Sequence, residues 1–172
     1  MKNLIPFHST NRTSQFSIEA DCFQTKPTTL TIEFKITGPL EHIVWPSPGV
    51  IESREDGLWQ STCLEVFVSE TRDKNEPYLE INCSPNGNWN AYSFSNYREG
   101  MKSSSDITVR LKERSSEKNE AFFRIEVNSS QPLNPRIVGL TAVVEFLGGE
   151  KSYWSLRHAA SQPDFHDKNG WE

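Results

Sequence analysis

The sequence predicts an all-β protein, an antiparallel β-sandwich of about ten strands with a jelly-roll-like arrangement. Apolar and polar residues alternate along most of the chain, and no run of about twelve residues has a good helical period. Clusters of Gly, Pro, Asn and Ser separate the strand-like runs. Because no internal repeat of fixed length is visible, residues 1–172 fit a single sandwich domain better than a propeller or a solenoid.

The strands follow from this alternation in chain order. The predicted strands are residues 15–23, 28–37, 42–45, 62–69, 78–83, 88–94, 106–114, 121–128, 137–145 and 152–158. The polar stretch 114–120 is predicted to be a long hairpin turn rather than a linker between domains. The last residues, 159–172, have no strand pattern, and we expect them to fold across an edge of the sandwich and reach the mouth of a pocket.

The composition argues against several classes of protein. The net charge is −5, and lysines and arginines are scattered rather than clustered, so a nucleic-acid partner is not expected. No apolar segment approaches about eighteen residues, and the N-terminus lacks an apolar signal region, so neither membrane insertion nor secretion is expected. The three cysteines form no CxxC motif and are predicted to be reduced thiols. Together these features predict a cytoplasmic protein.

The strand-like stretch WQSTCLEVFV carries a carboxylate, Glu65, among apolar residues. Because side chains alternate along a strand, Leu64, Val66 and Val68 share one face, which is predicted to be core. Glu65 therefore points to the opposite face, which is predicted to be something other than core.

The next strand repeats this arrangement with Glu80 and Asn82. If the two strands pair antiparallel with their apolar faces matched, Glu65 lies opposite either Glu80 or Asn82. Two carboxylates directly opposite each other repel, so one holds a proton unless a cation or a hydrogen-bond donor lies between them. Such a face is expected to have a function.

A tight hairpin is predicted to follow, because Asn86-Gly87 suits backbone angles with positive φ. With a loop of two or four residues, Trp89 lands on the face of the two acids, while Tyr92 and Phe94 join the core face. Acid, amide and indole side chains together are typical of a site for an uncharged, polyhydroxylated ligand.

Four blocks of sequence carry a family resemblance. The stretches LWQSTCLEVFV, YLEINCSPNGNWNAYSF, YREGM and YWSLRHAASQPDFH, in this order, resemble the DOMON-like bacterial proteins related to the family 9 carbohydrate-binding module. The resemblance runs from about Asp56 to His166. It implies a β-sandwich that binds a sugar without cleaving it.

The resemblance also implies roles for particular residues. In sugar-binding members, two tryptophans grip a terminal sugar ring and a glutamate binds its hydroxyls. The first tryptophan and the glutamate match Trp59 and Glu65, and Trp154 is the best counterpart of the second tryptophan. Glu80 stands where sugar-binding members have an arginine.

The predicted ligand site combines stacking, hydrogen-bonding and orienting groups, with Arg98 or His166 orienting the carboxylates. Its residues are Trp59, Glu65, Glu80, Asn82, Trp89, Arg98, Trp154, His158 and His166. Glu65 and Glu80 also suggest a glycosidase pair, but an open sheet face excludes water poorly. The sequence also lacks the GxSxG motif of a serine nucleophile. We therefore expect a binding protein that is not an enzyme and needs no cofactor.

Three alternatives remain open at this point. Haem held between Met101 and His158 or His166 is one, by analogy with redox relatives of DOMON proteins. A metal site that uses His158, Asp164 and His166 is another, although their spacing fits no known motif. The third is a protein-interaction module in which the tryptophans are buried against a partner.

Overall fold

The computed structural model describes residues 1–47 and 52–172, and it confirms the all-β prediction. Within these residues the strands are β1 (Lys2–Pro6), β2 (Ser17–Lys26), β3 (Thr29–Thr37), β4 (Cys63–Ser69), β5 (Tyr78–Cys83), β6 (Trp89–Phe94), β7 (Lys102–Ser103), β8 (Ile107–Glu117), β9 (Glu120–Ser129), β10 (Ile137–Glu145) and β11 (Lys151–Ser155). Single 3₁₀ turns lie at Thr13–Gln15, Leu40–His42, Leu58–Gln60 and Lys168–Gly170.

The strands form one antiparallel sheet with the order β7-β6-β5-β4-β10-β11-β1-β2-β3-β9-β8. The sheet curls, so that a front half (β4, β5, β6, β7, β10 and β11) packs against a back half (β2, β3, β8 and β9). Strand β1 joins the halves, because Leu4 pairs with Ile18 of β2 and Ile5 pairs with Ser155 of β11. This arrangement is the predicted sandwich.

The core lies between the two halves, as the alternation predicts. Leu64 and Val66 of the front half join Ile32 and Phe34 of the back half in one buried cluster. A second apolar cluster lies on the other side of the front half and consists of Phe67, Tyr78, Tyr92, Phe94, Ile137 and Trp171. The front half is therefore covered on both of its faces, and its outer face carries the candidate site.

Some strand predictions are wrong. Residues 42–45 form no strand, because Leu40–His42 is a 3₁₀ turn and Ile43 makes only an isolated bridge with Phe146. Pro39 and Pro46 flank this stretch and lack the N–H groups that a continuous ladder needs. The short strands β1 and β7 were not predicted, because their alternation covers too few residues.

The predicted long turn at residues 114–120 is also wrong. Strand β8 continues to Glu117 and β9 begins at Glu120, so only Lys118 and Asn119 form the turn. This end of the hairpin is exposed, and its backbone pairs although its side chains are polar. Polarity indicates exposure here rather than the absence of a strand.

The described helices are single turns, far shorter than a membrane crossing requires. Cys22, Cys63 and Cys83 are free thiols, as predicted, and Cys63 and Cys83 are buried.

Candidate ligand-binding cleft

A cleft of about 460 Å³ lies on the outer face of the front half, a volume that suits a small molecule. Strands β4 and β5 contribute its two acids, and aromatic rings surround them. The lining residues are Trp59, Gln60, Glu65, Phe67, Glu80, Phe94, Arg98, Met101, Val143, Lys151, Tyr153, Pro163, Phe165 and His166. Five of the nine predicted site residues are among them: Trp59, Glu65, Glu80, Arg98 and His166.

The strand register places Glu65 between two polar neighbours. It lies opposite Asn82 of β5 and opposite Thr141 of β10, so one of the two predicted registers is confirmed. Glu80 lies two residue pairs further along β5, opposite Phe67 and Tyr92. The two acids therefore occupy neighbouring strands of one face without standing directly opposite each other.

Glu65 is only 3% exposed, and burial raises the pKa of its carboxyl well above the ordinary range, with the nearby Glu80 charge adding to the shift. Within the described residues, Glu65 Oε1, Asn82 Oδ1 and Thr141 Oγ1 have no hydrogen-bond partner. Burial therefore favours the protonated carboxylic acid form of Glu65 over the carboxylate.

Glu80 is 5% exposed, and its environment differs from that of Glu65. The Asn82 amide donates from Nδ2 to Glu80 Oε1 over 2.7 Å, while Glu80 Oε2 lies 3.8 Å from His166 Nε2. Burial raises the pKa of Glu80 also, and the bond from Asn82 opposes that rise. Asn82 thus supplies Glu80 with a short hydrogen bond.

His166 enters the cleft from the C-terminal segment. Its Nδ1 lies 2.7 Å from the Tyr78 hydroxyl oxygen, which also accepts a bond of 3.2 Å from the backbone N–H of Arg98. Burial lowers the pKa of His166 to about 4 and raises that of Tyr78 to about 12. Both groups are therefore neutral near pH 7.

The C-terminal segment forms one wall of the cleft, as expected for residues 159–172, and it is held firmly. Trp171 packs on Gly139 so closely that a Cβ there would lie 2.7 Å from the indole. Lys168 is buried, and its ammonium group donates to Ser69 Oγ and to the carbonyls of Asp73 and Glu76. These contacts position Pro163, Phe165 and His166 on the cleft.

Arg98 lies at the mouth of the cleft, but it does not orient the carboxylates of Glu65 and Glu80 directly. Its guanidinium donates to Asp164 Oδ1 over 2.8 Å, and Tyr97 donates to the other oxygen of Asp164. This pairing links the loop after β6 to the C-terminal segment.

Trp59 lies in the cleft, as predicted. It belongs to the 3₁₀ turn Leu58–Gln60 before β4, and it is 37% exposed. The edge of its ring packs against Tyr92 with a centroid distance of 5.9 Å. The remaining surface is available for stacking on a ligand.

The prediction that Trp89 shares the face of the acids is wrong. Trp89 pairs with Cys83 and packs on the core, and the guanidinium of Arg54 covers its ring at 4.3 Å. The connection between Cys83 and Trp89 has five residues, an odd number, with Gly87 at φ +96°. An odd-numbered loop reverses the faces that an even one would give, so Tyr92 and Phe94 lie on the cleft side instead.

The structure also corrects the position of Trp154. It is 2% exposed and lies in the core, opposite Ala142 of β10, with its indole N–H bonded to Ser152 Oγ. Alternation brings its neighbour Tyr153 into the cleft. Other rings that line the cleft with Trp59 include Tyr153 and Phe165, which pack against each other.

His158 and Asn82 do not line the cleft. His158 Nε2 lies 2.9 Å from the Ile5 carbonyl, and the ring packs on Phe7. Asn82 is fully buried, and its amide donates to Glu80.

Among the described residues, no group of three or more His, Cys, Asp or Glu side chains is arranged to hold a metal ion. Met101 and His166 both line the cleft, whereas His158 does not. Of the two predicted haem pairings, Met101 with His166 lies in one cleft, whereas Met101 with His158 does not.

The sequence did not single out Tyr78, Tyr153, Phe94 or Lys151 as site residues. Alternation already turns Tyr78 to the same face as Glu80, so its signal was present. Its function depends on contact with His166, which is 88 residues further along the chain. Strand periodicity contains no information about that contact.

Comparisons with known proteins support the fold. No protein-family model matches the chain, and no curated protein matches it. A candidate carbohydrate-binding protein from Bacteroides uniformis has a similar structure, with a TM-score of 0.61, 12% identity, and coverage of 98% of this chain and 83% of that one. A family 9 carbohydrate-binding module from Caldicellulosiruptor kristjanssonii, solved with cellotriose, has a TM-score of 0.50, 13% identity, and coverage of 94% and 74%. At these identities the comparisons establish the shared fold.

Proposed function

We propose that the cleft binds a saccharide or a similar polyhydroxylated molecule and does not transform it. One observation carries this proposal: the carboxyl groups of Glu65 and Glu80 lie at the floor of a cleft that aromatic rings surround. Sugars have apolar C–H faces and polar edges, so they need a ring such as Trp59 and hydrogen-bonding groups in the same cleft. A protonated Glu65 can both donate and accept a hydrogen bond, so it can bind the hydroxyl groups of a sugar.

The shared fold supports this proposal. The family 9 module of similar structure was solved with cellotriose. In the present chain the acids, Trp59 and the C-terminal segment would make the contacts. A DOMON-like relationship remains a prediction from the sequence blocks.

The two acids favour binding over hydrolysis. Glycosidases place their carboxyl groups on opposite sides of the scissile bond, so that one protonates the leaving oxygen while the other acts at the sugar ring. Glu65 and Glu80 project from neighbouring strands of one face, and both are nearly buried. We therefore expect no release of nitrophenol from nitrophenyl glycosides that bind to the protein.

Titration with neutral mono- and disaccharides, followed by calorimetry or by amide NMR shifts, tests the proposal. A monosaccharide of about twelve heavy atoms should bind with about 4–6 kcal/mol, which corresponds to dissociation constants from about millimolar to tens of micromolar. The substitution Trp59→Ala should remove most of this affinity. Phe23→Ala is a matched control, because Phe23 is similarly exposed (43% against 37% for Trp59) and does not line the cleft.

Two outcomes would overturn the proposal. One is the absence of binding by any sugar of the panel to the wild type at concentrations well above millimolar. The other is binding that Trp59→Ala and Phe23→Ala weaken equally, because that would place the ligand outside the cleft.

Haem is the competing ligand, because Met101 and His166 line the same cleft. Nδ1 of His166 is bonded to the Tyr78 hydroxyl, and the gap of 3.8 Å between Nε2 and the Glu80 carboxyl has no room for a porphyrin ring. We therefore expect no Soret band from purified protein supplied with haemin. A Soret band that Met101→Ala and His166→Ala both abolish would replace the sugar proposal.

A further inference from the structure

Two polar atoms face each other inside the cleft without bonding. Glu80 Oε2 and His166 Nε2 are 3.8 Å apart, which exceeds the length of a hydrogen bond. Their side chains are 7% and 16% exposed, respectively. An oxygen atom about 2.8 Å from both atoms completes a bonded triangle, so the gap has the size of one ligand atom.

The hydrogen bonds around Tyr78 determine which nitrogen of His166 carries its proton. The Tyr78 oxygen accepts the Arg98 backbone N–H, and its other neighbour at hydrogen-bonding distance among the described residues is His166 Nδ1. If Nδ1 carried the proton, the hydrogen of the Tyr78 hydroxyl would have no acceptor there. Tyr78 therefore donates to Nδ1, and the proton of the neutral imidazole lies on Nε2.

Glu80 is held in a complementary way. Its Oε1 accepts the Asn82 amide, which leaves Oε2 directed towards His166. Nε2–H is thus a donor and Oε2 an acceptor, 3.8 Å apart. Arg98 does not bridge them, because its guanidinium is bonded to Asp164.

We propose that Glu80 and His166 together recognise one hydroxyl group of the ligand, which accepts from His166 Nε2–H and donates to Glu80 Oε2. A hydroxyl does both at once, whereas an ammonium group has no acceptor and a carboxylate has no donor. The pair therefore selects a hydroxyl over an amine or an acid at this position of the ligand. Tyr78 acts as a positioning residue that fixes the tautomer. This inference rests on the proposed function.

The tautomer can be measured without any ligand. A long-range ¹H–¹⁵N NMR spectrum distinguishes the two tautomers, and we expect His166 to show Nε2–H. His158 provides an internal reference, because its Nε2 faces the Ile5 carbonyl and must be a donor there. Tyr78→Phe retains the ring and should give a mixture of tautomers, whereas Tyr153→Phe should leave the His166 tautomer unchanged.

The hydroxyl is tested with D-glucose and the monodeoxyglucoses. Removal of one particular hydroxyl should weaken binding to the wild type about tenfold, as expected for a hydrogen bond to a charged group. In His166→Phe and in Glu80→Gln, affinity for glucose should fall by a similar factor, and the same deoxy sugar should no longer bind more weakly than glucose. His158→Phe is the matched control and should retain the wild-type pattern.

The outcomes distinguish this inference from the function it rests on. A wild-type His166 with its proton on Nδ1 would overturn the inference and leave sugar binding intact. Two residues that bind one hydroxyl must be energetically coupled. The inference would therefore also be overturned if the losses of binding free energy in His166→Phe and Glu80→Gln were fully additive in the double variant. If no sugar binds to the wild type, the proposed function is overturned, and the hydroxyl role with it.

Discussion

The two outer faces of the sandwich have the same alternating sequence pattern, but their acidic residues are in opposite environments. On the back half, acids that point outward form ion pairs with neighbouring bases. Glu33 Oε1, for example, lies 2.9 Å from Arg124 Nε. On the front half, Glu65 and Glu80 are nearly buried, and the only basic nitrogen of the described residues within 4.0 Å of either is Nε2 of His166. Burial keeps that histidine neutral at pH 7, so it provides no counter-charge.

The difference comes from the C-terminal segment, which covers the front half and leaves the back half in contact with water. Burying an acid is unfavourable unless a proton or a partner compensates. The charged residues of the back face are exposed to water, as on an ordinary protein surface. The front face keeps two buried acids although their burial is unfavourable. We infer that the front face is organised around a ligand.

Removal of Trp171 should have the largest effect on the front half. Its indole is 1% exposed and packs on Gly139 and Phe67, so Trp171→Ala should lower the free energy of unfolding by about 3–5 kcal/mol. That corresponds to a fall in Tm of roughly 6–20 °C. Phe23→Ala, which removes an exposed ring from the back half, should change Tm little. Equal effects in thermal unfolding would show that the segment does not stabilise the front face.

Lys168 should have the next largest effect. Its ammonium group donates to three oxygens in a buried position, so Lys168→Met should cost about 2–4 kcal/mol in urea titrations. Lys35→Met is the matched change on the back half, where Lys35 pairs with Glu19 at the surface, and it should leave unfolding within error. A stable Lys168→Met variant with unchanged sugar binding would mean that this anchor is dispensable.

The alternation of apolar and polar residues predicted the bounds of several strands and the face to which their side chains point. Strands Tyr78–Cys83 and Ile137–Glu145 have the predicted bounds, and Glu65 points away from the core as expected. Alternation repeats every second residue, so it fixes faces once a strand is recognised. Alternation does not predict whether a loop has an odd or an even number of residues. Because the connection before Trp89 has five residues, Trp89 lies on the face opposite to the predicted one.

The rest of the site depends on contacts between distant parts of the chain. His166 meets Tyr78 and Glu80 only because Trp171 and Lys168 dock the C-terminal segment, which has no periodic pattern. The sequence indicated that this segment carries useful side chains. It contained no local signal for which strand they would meet.

Glu65→Gln should change how the stability of the protein depends on pH. The pKa of Glu65 is raised in the folded protein, so the folded state binds the proton more tightly than the unfolded state does. Its contribution to stability is present at low pH and is lost as pH rises through the folded pKa. Glu65→Gln keeps the shape of a neutral acid and cannot ionise. The stability of the variant relative to the wild type should therefore increase as pH rises above the ordinary range of a glutamate, and a difference that stays constant with pH would contradict the raised pKa.

The same substitution on the back half should have the smallest effect. Glu33 pairs with Arg124 at the surface, where water and salt screen the interaction. Glu33→Gln should therefore leave the midpoint of urea unfolding unchanged within error at about 0.15 M salt. Any loss should shrink further as salt is added. Glu65→Gln should respond little to salt, because Glu65 is buried away from mobile ions. If the two variants responded to salt alike, the front face would be as open to solvent as the back face, and the reason for expecting a ligand there would be lost.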